Sequence, residues 1–355
     1  MKAAVLYGPG DVRVEEVDEL VPGPGEMVVR TLAAFTCGTD RKVVERGYHA
    51  KMLTPPCVFG HEAAGEVAAV GKGVTSFKPG DRVVAANSAP CGLCRQCARE
   101  RESLCEDLLF WNGTFADAYL VPARVVAKNV LPLGDVGPED AAMTEPLACC
   151  VKGVLEAGVR EGDRVLVIGA GPIGLMLIRL CALKGAHVTV AARRPEALTI
   201  AKTHGAHEAL PIKFAEAGLV LEGRPDPAFD IVFDSGGAAE TASLAVRSAA
   251  RGGVVNLFAG CPAGTKIEVD VTRVHYDEIR IHGTFHHTPS AFRESFRLIA
   301  TGAVEPRRFV TQRKTLEELK ESLINPAVGV LKTLVVFEGG PAGTKQPPPT
   351  TTNPR

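Results

Sequence analysis

Six residues constrain this chain more than any others: Gly169-Ala170-Gly171-Pro172-Ile173-Gly174. They follow the branched apolar run Val165-Leu166-Val167-Ile168 and open a helical stretch, Ile173 to Lys184. A G-x-G-x-x-G turn between a strand and a helix is a dinucleotide fingerprint only in that setting. Gly169 permits the tight turn, Gly171 lets the backbone approach a pyrophosphate, and Gly174 lets helix and strand pack closely. Free N–H groups at the start of the helix then face the anion. The expected cofactor-binding residues are Gly169, Gly171, Pro172, Ile173 and Gly174, together with Ala192, Arg193 and Arg194 at the end of the next strand.

That next strand is expected over His187 to Ala191. A carboxylate about 20 positions beyond the first glycine would accept the 2′-hydroxyl of an adenosine ribose. Ala191-Ala192-Arg193-Arg194-Pro195 has no carboxylate and offers two guanidiniums instead. Charge-assisted bonds of that kind are worth roughly 1.5–3 kcal/mol each. The expected cofactor is therefore NADP in preference to NAD, the alternative being two solvated loop arginines.

Later runs, Phe229 to Asp234 and Gly253 to Phe258, alternate with helical stretches, the pattern of a parallel sheet with crossover helices. Before about residue 145 the pattern differs. Short β-type runs such as Glu26 to Leu32 and Arg82 to Ala85 are bounded by Gly and Pro. A helix over Ser290 to Thr301 and a strand over Leu331 to Phe337 close the ordered part. The Pro- and Thr-rich tail, 339–355, has almost nothing to bury and is expected to be disordered.

Two groups of residues have the chemistry of metal ligands. Cys91, Cys94, Cys97 and Cys105 follow C-x2-C-x2-C-x7-C in a Pro/Gly-rich, charged loop. Four thiolates complete a closed tetrahedral zinc shell, a structural site; disulfides or unrelated thiols are the alternatives. A dispersed set, Cys37, His61, Glu62 and Glu145, offers the mixed sulfur, nitrogen and oxygen donors of a catalytic zinc with one exchangeable position. Taken singly, these residues read as a buried thiol, a core histidine and surface carboxylates. Cys149 and Cys150 are close enough in sequence to Glu145 to supply a cysteine ligand in its place.

Gly60-His61-Glu62-Ala63-Ala64-Gly65, then Gly71 and Val74, resembles the signature of the zinc-dependent medium-chain alcohol dehydrogenases. The four-cysteine lobe and the glycine fingerprint follow in that family's order, so the resemblance covers residues 1 to 338. Glu145-Pro146-Leu147-Ala148 resembles the polyol branch, the sorbitol (L-iditol) dehydrogenases. The resemblance implies an α/β protein: a GroES-like β-rich catalytic domain of residues 1–147 and 286–338, and a Rossmann doubly wound nucleotide-binding domain of residues 148–285. It implies two zinc ions per chain, Cys37, His61 and Glu62 as catalytic-zinc ligands, and Glu145 on the zinc or its water. Thr39, Glu62 and Glu145 are then the catalytic residues, with Thr39 passing the hydroxyl proton outward and Asp40 holding the His61 ring. The implied reaction interconverts a secondary alcohol (a polyol, cyclitol or sugar alcohol) and its ketone. Alternatives are a threonine or simple alcohol dehydrogenase of the same family, or a catalytically silent nucleotide-binding regulator.

In the polyol branch an Arg can contact the sugar alcohol where this chain has His286. A tyrosine common after the first ligand is missing, with Val43 near its place. His286 and His287 are therefore candidate substrate-binding residues, and Phe110 and Trp111 line either the pocket or the core. The chain has 40 Lys and Arg against 41 Asp and Glu. That balance gives no global attraction to nucleic acid or to an anionic membrane. With no signal peptide or apolar span legible, the expected location is the cytoplasm. The implied assembly is a homo-oligomer, tetramer or dimer, with the strand near Arg280 to His282 as a possible interface.

Overall fold

The computed structural model describes residues 1–48, 52–215, 218–223, 228–325, 327 and 329–337. The tail expected from Gly339 onward lies outside the described residues. Two seven-stranded sheets organise the chain.

The first is antiparallel apart from one parallel pair. Its strands run in the order Val130–Pro132, Arg82–Ala85, Glu62–Val70, Met27–Phe35, Lys332–Val336 and Val310–Thr315, and Ala118–Val121 also pairs with Met27–Phe35. Met27–Phe35 reads Met-Val-Val-Arg-Thr-Leu-Ala-Ala-Phe and is almost wholly buried. Its partner Glu62–Val70 is rich in alanine, which lets the two strands lie under a second layer without crowding. The antiparallel register sets Phe35 opposite Glu62. Cys37, just past the end of one strand, is thereby brought beside His61, just before the start of the other. A small sheet of Asp11–Glu16, Lys2–Gly8 and Cys57–Val58 packs nearby.

The second sheet runs Gly218–Leu221, Glu208–Ala215, His187–Ala192, Arg164–Ile168, Phe229–Asp234, Ala249–Leu257 and Arg280–Gly283. All its pairs are parallel except the Glu208–Ala215/Gly218–Leu221 hairpin. The order reverses between Arg164–Ile168 and Phe229–Asp234, the switch point where doubly wound sheets bind ligands.

Helices cover both faces of this sheet. Pro172–Leu183 follows the glycine turn with Pro at its first position and Gly171 as N-cap. Thr144–Ala157 packs against it and against Pro289–Ala300. One apolar cluster runs from Phe35 and Ala64 of the first sheet through Leu147 and Val151 of that helix to Val165 and Phe233 of the second. Among the described residues no helix is long and apolar enough to cross a membrane.

Candidate metal and cofactor sites

Helix Gly38–Arg46 begins at Cys37, and Asp40 closes its capping box. Asp40 Oδ2 accepts from the Cys37 N–H at 2.8 Å, and its Oδ1 lies 3.1 Å from His61 Nδ1. One carboxylate thus fixes the backbone that carries the thiol and the ring that faces it, the partner role expected of Asp40. Gly60, with φ of 93°, leads into His61, and a Cβ there would sit 2.7 Å from the Phe115 ring.

The donor atoms of Cys37, His61 and Glu62 lie within 4.8 Å of one another. Burial opposes charge on His61, yet Asp40 and Cys37 together hold its pKa well above the usual value. The site therefore favours a positive charge, and its thiol, imidazole and carboxylate suit zinc. Sequence reasoning missed Lys332, whose buried ammonium pairs with Glu62 Oε2 and donates to the Thr36 carbonyl at 3.1 Å. Among the described residues Glu62 Oε1 is buried with no hydrogen-bond partner. A lone Lys inside the apolar run Leu331 to Val336 was the signal available.

Glu145 lies close enough to this set for the charges of His61 and Glu62 to act on it. It lies in the first turn of helix Thr144–Ala157 and groups with Cys149 and His286. Burial raises its pKa to about 7, and the nearby charge of His61 partly offsets this. Cys150 points away, its thiol 3.8 Å from the Ile173 carbonyl of the glycine turn. Of the two neighbouring cysteines, only Cys149 faces Glu145.

His286 and His287 both reach this face. His286 Nε2 is 2.6 Å from Ser88 Oγ, and His287 Nε2 is 3.2 Å from Asn87 Oδ1. Burial keeps both rings neutral, with His287 pushed down to about 3. Phe110 packs on His286, whereas Trp111 belongs to the core: it is buried, stacked on Tyr119, and donates to the Ala86 carbonyl at 2.7 Å. Val43 is core as well. Thr39 is half-buried beside Cys37, and its N–H lies 3.4 Å from the Cys37 sulfur.

All ten cysteines are free thiols. The sulfurs of the four-cysteine lobe are 4.0 Å (Cys91–Cys97), 3.6 Å (Cys94–Cys97) and 3.9 Å (Cys94–Cys105) apart. Zinc–sulfur bonds of about 2.3 Å give a tetrahedron edge of about 3.8 Å, so the spacing fits zinc and not disulfides. The N–H groups of Leu93 and Cys94 point at the Cys91 sulfur, and those of Glu106 and Cys97 bring the Cys94 thiol down to about 6. Leu93 and Leu104 are exposed, so the lobe has little apolar core of its own.

The glycine turn opens a cleft of about 560 Å³ lined by Gly169, Ala192, Arg193, Arg194, Gly236 and Thr241 among others. A Cβ on Gly174 would meet the Gly169 carbonyl oxygen at 2.1 Å, while one on Gly171 would meet nothing within 4 Å. Gly174 is thus required by packing within the fold. Gly171 is not, which leaves the approach of a ligand as its reason.

Residues 23–132 match the family model of the alcohol dehydrogenase GroES-like domain, and residues 172–301 that of the zinc-binding dehydrogenases. The chain is 33% identical to D-altritol 5-dehydrogenase of Agrobacterium fabrum over 83% of this chain and 87% of that protein. It is 30% identical to L-threonine 3-dehydrogenase of Thermococcus kodakarensis over 95% and 97%. The crystal structure of a zinc-binding dehydrogenase of Sinorhizobium meliloti bound to NADP superposes with a TM-score of 0.85 at 31% identity, covering 95% of this chain and 99% of that one. The chain belongs to the zinc-dependent medium-chain alcohol dehydrogenase family and is an oxidoreductase with a GroES-like and a Rossmann-like part.

Proposed function

We propose that this dehydrogenase interconverts a polyol-like secondary alcohol and its ketone, with NADP preferred over NAD and two zinc ions per chain. The observation that carries the reading is the convergence of Cys37, His61 and Glu62, from two strand ends and a helix cap, on one point. When bound, zinc supplies Lewis-acid polarisation of the substrate oxygen, and the nicotinamide supplies or accepts the hydride.

The chain's own residues do the rest. Cys37, His61 and Glu62 would hold the catalytic ion, and Cys91, Cys94, Cys97 and Cys105 the structural one. Asp40 orients His61, and Lys332 balances Glu62. The Thr39 hydroxyl accepts the substrate proton and passes it outward. Glu145 and the neutral rings of His286 and His287, backed by Ser88 and Asn87, form a polar wall suited to neighbouring hydroxyls. That wall, the Glu145 stretch and the likeness to D-altritol 5-dehydrogenase favour a polyol over threonine. Residues 1–147 and 286–338 form the catalytic domain of this reading, and residues 148–285 the nucleotide domain. Arg193 and Arg194 at the cleft wall support NADP, as does the NADP-bound structural neighbour.

A screen of polyols, cyclitols, simple secondary alcohols and threonine with both cofactors tests the substrate class. Polyols should give the highest kcat/KM. A kcat/KM with NAD equal to or above that with NADP would refute the Arg193/Arg194 assignment. The assembly that fits is a homo-oligomer, dimer or tetramer, in the cytoplasm.

A further inference from the structure

Helix Pro195–Thr203 buries Ala197 and Ala201, and the same spacing brings His204, just past its end, to that buried face. His204 is 6% exposed, at a place where the pattern asks for an apolar residue. Its Nδ1 is 3.0 Å from the Ile200 carbonyl and 3.2 Å from Thr203 Oγ1. A carbonyl only accepts, so Nδ1 carries the proton and Nε2 is left as a bare lone pair. That Nε2 is buried with no hydrogen-bond partner among the described residues. Buried acceptors are rarely left in this state, and each one needs a reason.

His204 borders a pocket of about 80 Å³ where three segments meet. Helix Pro172–Leu183 brings Arg179, whose Nε and Nη2 donate to the Ala303 carbonyl at 3.0 and 2.8 Å. Its Nη1 has no hydrogen-bond partner among the described residues. The turn Pro306–Phe309 brings Arg308 and Phe309, and the Phe309 ring packs on His204 with centroids 4.9 Å apart. Among the described lining residues Glu305 is the one carboxylate, and Arg308 Nη2 pairs with it at 2.9 Å. Two guanidiniums against one carboxylate leave the pocket positive. Burial, then the charges of Arg308 and Arg179, hold the His204 pKa below its usual value. A neutral imidazole thus stands beside two fixed cations.

Guanidiniums favour oxyanions, while a bare imidazole nitrogen favours a hydroxyl donor. Sulfate and carboxylates offer acceptor oxygens alone. Monohydrogen phosphate offers both, charged oxygens for the arginines and one P–OH for Nε2. A pocket of this size admits such an ion and excludes a nucleotide. We propose that Arg179, His204 and Arg308 bind inorganic phosphate, a tetrahedral oxyanion that keeps one proton. The P–OH donates to Nε2, and no proton is taken up or released. The ion joins helix Pro172–Leu183, helix Pro195–Thr203 and the turn Pro306–Phe309, so it stabilises the folded chain by mass action. The site is separate from the glycine turn and from the zinc ligands, and it does not depend on which alcohol the enzyme takes.

Calorimetry on the full chain tests this, with the nicotinamide cofactor saturating so that the glycine turn is occupied. At about pH 8, above the histidine range, inorganic phosphate still carries its P–OH and sulfate has none. At equal ionic strength phosphate should bind at least tenfold more tightly than sulfate. Phenyl phosphate, a dianion without P–OH, should bind no better than sulfate. Arg308→Ala should weaken phosphate at least tenfold, whereas Arg307→Ala, whose side chain pairs with Asp140 instead, should leave it unchanged. His204→Leu should abolish the preference for phosphate over sulfate. Should that variant fail to fold, proton uptake by wild type in two buffers of different ionisation heat replaces it. Sulfate should then bring about one proton onto the protein and phosphate none. Equal affinity for phosphate and sulfate, equal proton uptake, or an equal loss in Arg308→Ala and Arg307→Ala overturns the proposal. Tighter binding of phenyl phosphate than of inorganic phosphate also overturns it, by giving the pocket to a phosphomonoester.

Discussion

At Glu62 one carboxylate has two claimants. Lys332 holds Oε2, while Oε1 is buried without a partner among the described residues and available to an ion. Burial opposes the Lys332 charge, but Glu62 and Cys37 keep it raised above the ordinary value. Removing one member of a buried pair strands the other, which costs about 3–5 kcal/mol. Lys332→Met should lose that much in denaturant unfolding, and more after chelation, when no ion is left to share the Glu62 charge. A loss below about 1 kcal/mol in both states, the range of an exposed pair, would show that the pair is not truly buried.

His204 makes a separate case, far from the metal ligands. Its Nδ1 is 3.0 Å from the Ile200 carbonyl, and its ring packs on Phe309. Burial, then the charges of Arg308 and Arg179, lower its pKa below 6.5. Above that value both folded and unfolded chains are neutral there, and the contribution to stability is complete. As the pH falls below it the unfolded chain takes the proton first, so stability is lost until the folded pKa is passed. His204→Asn should flatten the acid-side fall in melting temperature, and an identical slope would rule the residue out as a source. Residues such as Cys37 and His61 were legible because ligand chemistry restricts residue type. Lys332 and Ser88 were not, because their role comes only from strand register and a distant loop.

The glycine turn separates two kinds of element-level requirement. Gly174 is pressed against the Gly169 carbonyl, and Gly171 faces open space. Gly174→Ala should destabilise the protein in thermal melts. Gly171→Ala should melt like wild type yet bind NADP about tenfold more weakly by calorimetry, the equivalent of one lost charge-assisted bond. Equal affinities would place the pyrophosphate elsewhere. The strand and helix flanking this turn were legible to within a residue, the helix running Pro172–Leu183 against the expected Ile173 to Lys184. Ala249–Leu257 starts earlier than the expected Gly253 because Arg251-Gly252-Gly253, which reads as a turn, is absorbed by an irregularity in the pairing. The hairpin Glu208–Ala215/Gly218–Leu221 was not read at all. Its first strand has only one buried residue and contains Pro211, so it lacks both the apolar run and the clean alternation that mark a strand.

Across the whole molecule the two parts share one apolar cluster through helix Thr144–Ala157, which leaves the outer edge of the second sheet as the open question of assembly. Sequence patterning could suggest that edge but not decide it, since pairing between chains uses backbone groups that any residue carries. Among the described residues Arg280–Gly283 pairs on one side only, with Ala249–Leu257. It is short, ends in glycine, and has the half-buried Ile281 at its centre, with Tyr276 strongly exposed nearby. Unpaired edges invite pairing with another chain, and natural proteins block them with charge, proline or a cover. Here Arg280 is the strand's one charged side chain, and like residues meet across a two-fold axis. The expected outcome is an even multiple of 37.5 kDa by light scattering. Ile281→Asp, which would set carboxylates against each other across that axis, should shift the mass toward one chain while NADP binding persists. A wild-type mass of one chain at micromolar concentration, or a variant that stays fully assembled, would take the interface away from this edge.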